Sequence, residues 1–403
     1  MKFSRIGQVA LVSTIALVLA STFTACNPVT IDYIYVAGNK TNPGQIQVFL
    51  SDRVSGALEI VDSTVSSGGV TPVSEAVSTD FSHLYVANQG DSTLVEFSVA
   101  ATGALTSTKT VTMSGEGNTP VAIFMNAMGT LLYVVNRYQP GCTVTTTVSG
   151  AATCNGGALA VFPVGTDGSL GGSITNGSAN YWPVGVNPTS LTALASGTAV
   201  FVSTYDPKAG IGYMSEFSAT SAGALTSVGT AQAGVKPVSV ASDPTSRFVY
   251  VTDFSQNELI AFSVLGGDTL HPLINGPFKT GNQPSAITVD PRGKFIYISN
   301  QLDNTVSAYS IDLPTGTPTA AVNTTGSASN ATGTAPVAIM VDPSFGRYVY
   351  TANSLDNSVT GFQINTSTGT LSSTQNGPYP SVGQPVALAA IPHGNHSVQV
   401  DQP

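Results

Sequence analysis

At the third place after a recurring proline, seven segments of this chain carry Glu75, Ile123, Leu191, Val240, Ile287, Ile339 and Leu388. Six of these residues are aliphatic and one is a carboxylate. A glutamate in such a place must be paired, hydrated, or held protonated by burial, and the last state suits a general acid or base. Otherwise Glu75 meets a neighbouring hydroxyl or water, or its strand has slipped by one residue. Side chains able to receive a ligand gather nearby in the sequence pattern, at the ends of Tyr-Val-x-Asn-like runs and just before the prolines. They are Arg137, Tyr138, Tyr205, Asp206, Lys208, Lys236, Asp253 and Gln301. Arg137, Lys208 or Lys236 would orient a substrate carboxylate while Glu75 activates water. Asn88, Asn300 and Asn353 close strands and read as ordinary turn residues.

Other chemistry finds little support. There is no Gly-x-Ser-x-Gly, and the four histidines, His83, His271, His393 and His396, fall on expected turns and the C-terminal tail. His393 and His396 have ligand-like spacing, but a tail is a poor metal cage. No metal and no cofactor is expected.

The elements that must position these residues come from a repeat. Seven prolines, Pro72, Pro120, Pro188, Pro237, Pro284, Pro336 and Pro385, each follow a glycine by two or three residues and open an apolar run. Six of those runs lead to an aromatic marker: Tyr85, Tyr133, Phe201, Tyr250, Tyr297 or Tyr350. A seventh marker, Tyr35, precedes every proline. Each run is short, rich in β-branched and aromatic residues, and bounded by turn residues, so each reads as a strand. A third strand returns from the marker, and a more polar fourth follows Gly-x-Leu corners at Gly103, Gly223 and Gly369. The fold class is therefore all-β: a seven-bladed propeller of four-stranded antiparallel blades. Residues 31–36 form a second strand and residues 385–391 a first strand. The C-terminal strand should thus join the N-terminal blade and close the ring. Residues 396–400 are a weaker competitor for the second-strand place.

Lys2 and Arg5, an apolar stretch at residues 9–20, and small residues up to Cys26 read as a lipoprotein signal peptide. Cys26 would carry the lipid and hold the protein on a membrane of the bacterial cell envelope, in the periplasm or at the outer surface. The expected organisation is a signal at 1–25, a tether at 26–31, the propeller at 32–392 and a tail at 393–403. Cys142 and Cys154 lie in one insertion and would pair in an oxidising compartment, constraining the loop by about 3 kcal/mol at most. A net charge of −9 with only 9% charged residues argues against nucleic acid as a partner. A small sugar or lactone, or an envelope protein, suits the neutral-polar surface better, and a monomer is expected.

The proline-to-Tyr-Val-x-Asn unit, the seven blades and the late first strand resemble the lactonase family of seven-bladed propellers, typified by 6-phosphogluconolactonase and carboxymuconate-lactonizing enzymes. Surface proteins with Tyr-Val-Thr-Asn repeats are near neighbours, and Tyr250-Val251-Thr252-Asp253 is close to their pattern. The likeness covers about residues 31–392. It implies a lactone-opening site with Gly-x-Gly-Pro-Arg-His, a strand end reading Asn-Glu-Leu, and a further histidine. Here Val121-Ala122, Thr189-Ser190, Val238-Ser239, Ser285-Ala286 and Val337-Ala338 follow the prolines, and Asn300-Gln301-Leu302 has an amide for the carboxylate. Three expectations follow: a ligand- or protein-binding module without the family's catalytic groups, an envelope lactone hydrolase using Glu75, or a surface-layer repeat protein.

Overall fold

The structure, a computed structural model, describes residues 30–61, 64–142 and 156–393. Cys26, Cys154, His396 and the signal segment lie outside the described residues. Among those described, the strands form seven antiparallel sheets arranged as the blades of a ring.

Six of the seven repeat prolines open the inner strand of a blade, Pro120 lies two residues inside Asn118–Met125, and the marker aromatic sits in the second strand. In blade 2, Pro72–Val77 pairs with His83–Asn88, then Thr93–Val99, then Leu105–Thr112. Blade 1 is composite. Pro385–Pro392 pairs antiparallel with Thr30–Gly38, placing Leu388 opposite Val36, so the two chain ends close the ring by backbone hydrogen bonds. The N-terminal strand begins at Thr30, inside the expected tether, because Ile31 is fully buried and its carbonyl accepts the His393 amide at 2.7 Å. The His393 ring also packs edge-on against Tyr33 at 5.3 Å, so this first residue of the expected tail belongs to the seam.

The expected fourth strand is continuous in blades 2 and 4 but split into two short pieces in blades 1, 5, 6 and 7. It pairs along one edge and its outer side chains face solvent, so packing does not enforce continuity there. Turn residues such as Asn275-Gly276-Pro277 then break it.

The core is a set of interblade sandwiches. Ile46, Val48, Tyr33 and Tyr35 of blade 1 pack on Leu84, Val86, Val95 and Phe97 of blade 2. Ile34, Val36 and Phe49 pack on Tyr348, Tyr350 and Val359 of blade 7. Second strands are therefore buried on both faces, which is why they read as continuous apolar runs. The marker tyrosines do more than fill space. Tyr35 donates its hydroxyl proton to the Gly103 carbonyl of the next blade at 3.0 Å, and Tyr250 to Gly316 at 2.8 Å. Tyr297 donates to Gly369 at 3.1 Å, Tyr350 to Gly56 at 2.9 Å, and Tyr85 to Gly168. The accepting glycine turns the third-to-outer hairpin with positive φ, +76° at Gly369, and a Cβ there would overlap the Phe295 ring. The aromatic marker and the Gly-x-Leu corner are thus two halves of one interblade lock. The Tyr350 lock joins the last full blade to the first.

Candidate functional site

The axial channel has two ends. Pre-proline loops and second-to-third turns ring one end, the loop face; first-to-second turns such as Ser78–Phe81 and Asp243–Ser246 ring the other, the turn face. The eight residues expected to bind a ligand lie on the loop face.

Most carboxylates there are already committed. Asp253 is fully buried and accepts the backbone amides of Val235 at 2.6 Å, Lys236 at 3.3 Å, Ser255 at 2.8 Å and Gln256 at 3.0 Å. It ties a turn to a pre-proline loop and has no accessible face for a ligand. Asp206 accepts the amides of Lys208 and Ala209, at 2.8 and 3.2 Å. Asp303 accepts Asn282 N–H at 2.7 Å, and Asp356 accepts Thr334 N–H at 2.6 Å. Neighbouring blades are stitched by the same means: Asn257, Asn304 and Asn357 each accept, at 2.8 Å, the amide before the next repeat proline. Asn88, Asn300 and Asn353 bond across their own hairpins, as turn residues do, and Asn88 and Asn300 also reach the preceding pre-proline loop, at the Ser67 carbonyl and the Gly281 amide.

What the loop face leaves available is aromatic and cationic. The Lys236 ammonium lies 4.4 Å from the centre of the Phe254 ring and 5.8 Å from that of Tyr205, bridging blades 4 and 5. Phe254 was not among the expected residues; its place directly after Asp253, at the end of a marker strand, is the signal that could have found it. Lys208 is exposed two residues beyond Asp206, and Gln301 is half-buried, its backbone N–H donating to the Gln283 carbonyl at 2.8 Å. Arg137 and Tyr138 end the second strand of blade 3, and the Arg137 Nε is buried without a hydrogen-bond partner. Cys142 is buried just beyond, and its carbonyl accepts Asn118 Nδ2 at 2.7 Å.

Glu75 lies opposite Val86, the register in which Ile123 faces Val134 and Val240 faces Val251, so its strand has not slipped. Both carboxylate oxygens are buried and neither makes a hydrogen bond of good geometry, although the Ala37 amide lies near. Burial pushes its pKa well above the usual carboxylate range, offset in part by the Ala37 amide. Glu75 forms part of the wall of a cavity of about 520 Å³ on the turn-face side, built from the inner strands of blades 1, 2 and 3. Ala76, Val77, Phe81, Ile123, Phe124, Met125, Ala127, Leu388, Ala389 and Ala390 supply an apolar lining, with Ser78, Thr79 and Asn126 at its edge. Arg137, Lys208 and Lys236 do not line it. The structure therefore does not bring Glu75 together in this cavity with the cations expected to orient a carboxylate, because inner-strand side chains and second-strand ends point to different ends of the ring.

His83 stands at the start of a second strand rather than in a turn. Its Nδ1 is 2.7 Å from Ser82 Oγ and its Nε2 is 4.0 Å from Glu96 Oε1, an order of groups that resembles a relay. Yet Ser82 also donates to Asp80 at 2.6 Å, and Glu96 already accepts Leu170 N–H at 2.8 Å and the Thr108 hydroxyl at 2.7 Å. The imidazole packs on Gly168 where Phe295 and Phe248 pack on the corresponding glycines of other blades. This cluster holds an interblade seam. Among the described residues no group of three or more His, Cys, Asp or Glu is placed to hold a metal ion.

The family profile described as Lactonase, 7-bladed beta-propeller matches residues 3–122 and 266–390. No curated protein matches by sequence. Among solved structures, the periplasmic gluconolactonase of Pseudomonas aeruginosa is similar with a TM-score of 0.70 at 17% identity, over 90% of this chain and 99% of that one. Two proteins proposed to be 6-phosphogluconolactonases are comparable. That of Bacteroides uniformis gives a TM-score of 0.69 at 18% identity, over 90% and 100% of the chains. That of Bacteroides fragilis gives 0.67 at 18%, over 90% and 98%. At such identities the likeness is one of fold.

Proposed function

The chain belongs to the lactonase family of seven-bladed β-propellers, and from that premise we propose that it is an exported, lipid-anchored binding module that keeps the family scaffold without its lactone-opening groups. The observation that carries this reading is the state of the loop face. Its carboxylates are consumed by backbone amides, while Tyr205, Lys236 and Phe254 offer ring faces beside a cation. Aromatic faces stack on sugar rings and a lysine receives a sugar acid, so a small sugar, its lactone or acid, or an envelope protein bearing such groups fits. Membrane attachment through Cys26 belongs to the same reading, supported by the signal-like N-terminal sequence. Envelope placement is further supported by a structural neighbour described as periplasmic. The Cys142–Cys154 pair would brace the insertion beside Arg137 and Tyr138, consistent with the burial of Cys142.

One observation favours a second reading, an envelope lactone hydrolase. Glu75 is a buried carboxyl with a raised pKa in the wall of the large cavity, a property of general acids and bases. The two readings separate in one assay of the mature protein on glucono-δ-lactone, followed by proton release. Opening at the buffer rate, together with binding of gluconate that Lys236→Ala and Phe254→Ala weaken, supports the binding module. Opening above the buffer rate that Glu75→Gln abolishes overturns it in favour of the hydrolase.

A further inference from the structure

We propose that the turn-face cavity is a second binding site, for a small primary ammonium compound with an apolar body, and that Glu75 receives the ammonium group. The site stands apart from the loop face and does not rest on the reading given above.

Packing does not require a carboxylate at this place. Six blades fill it with an aliphatic side chain, and Ile123, Leu191, Val240 and Ile287 are nearly fully buried there. Neither Glu75 oxygen makes a hydrogen bond of good geometry, the nearby Ala37 amide offsets its burial only in part, and a buried polar group left so is costly unless something else satisfies it. Among the described residues it is also the one ionisable group lining the cavity, with no lysine, arginine or histidine in the wall. The field there is negative or neutral, so phosphates and sugar acids are repelled. The remaining wall, from Val77, Phe81, Ile123, Met125 and Leu388, suits an alkyl or aryl body, and about 520 Å³ accommodates one. The Glu75 oxygens lie behind the wall, so seating the cation requires the carboxylate to turn toward the lumen. Ionisation, which an ammonium favours and apolar packing opposes, drives that turn. Burial raises the pKa of the free carboxyl and a bound ammonium lowers it again, so binding the cation expels to solvent whatever proton the free carboxyl holds.

The test is calorimetric titration of the mature protein with benzylammonium, benzyl alcohol and benzoate in two buffers of different ionisation enthalpy. Benzylammonium should bind at least about tenfold tighter than benzyl alcohol, the gain of a charged over a neutral hydrogen bond. It should do so with proton release and tighten as pH rises, and benzoate should not bind. Glu75→Gln should erase the preference and the proton release while keeping the alcohol. Should that variant fail to fold, the wild-type proton release and a shift of the Met125 methyl resonance carry the test. Equal affinity for amine and alcohol, a preference that survives in Glu75→Gln, or no binding of any probe at millimolar concentration would overturn the proposal.

Discussion

The Ser344 hydroxyl donates a 2.5 Å hydrogen bond to the buried carboxylate of Asp32, 312 residues away in the chain, where blade 7 meets the composite blade 1. Asp32 is fully buried and its second oxygen has no partner. Burial and the charge of nearby Asp342 push its pKa well above its ordinary 3.8, more than the Ser344 bond lowers it. Asp342 itself is raised by burial, although the amides of Phe345, Tyr348, Arg347 and Gly346 all favour its charged form.

A group raised in the folded state contributes stability below its unfolded pKa and loses it as pH rises through the folded value. The seam should therefore weaken as Asp32 is forced to ionise. We expect Asp32→Asn, which keeps an oxygen for Ser344, to flatten the fall of melting temperature between mildly acidic and alkaline pH. Thermal melts across that range check it; a fall as steep in the variant as in the wild type would show that Asp32 does not control the seam.

The same sign applies to Glu75, raised by burial. Glu75→Gln is expected to match the wild type in acid and exceed it in stability as pH rises past the folded pKa, because the amide need not ionise. Denaturant titrations at acidic and alkaline pH decide this, and a variant less stable at both would mean that the carboxylate has a partner the fold depends on.

The Tyr297 to Gly369 lock separates a hydrogen bond from a backbone requirement. Tyr297→Phe removes one buried bond and should cost about 1 kcal/mol. Gly369→Ala forces a side chain into a positive-φ position and into the Phe295 ring, and should cost about 2–4 kcal/mol. Urea unfolding measures both. A milder loss for Gly369→Ala than for Tyr297→Phe would refute the packing described for this seam.

Removing residues 385–403 strips the inner strand from Thr30–Gly38 and opens the ring. Cooperative unfolding should be lost and the protein should self-associate through the bared strand edge, read by circular dichroism and size-exclusion chromatography. A truncated protein that stays monomeric and melts as sharply as the full chain would refute closure by this strand.

Blade count, strand order and ring closure could be read from the amino acids because each repeat carries its own proline, aromatic marker and turn residues at nearly constant spacing. The odd place of Glu75 was legible for the same reason, since six aliphatic equivalents define what belongs there. The lock between Tyr297 and Gly369 was not, although both residues belong to recognised motifs, because the bond crosses from one blade to the next. Nor could spacing reveal that Asp253 is consumed by four backbone amides.

Local sequence thus determined six of the seven blades, since their strands, turns and register depend on residues close in the chain, while blade 1 needed both chain ends. Only the tertiary structure decided which polar groups remain free and at which end of the channel a cavity opens. Those properties arise where blades distant in the chain press together, as Asp32 and Ser344 do, and burial there is set by neighbours that no repeat unit contains.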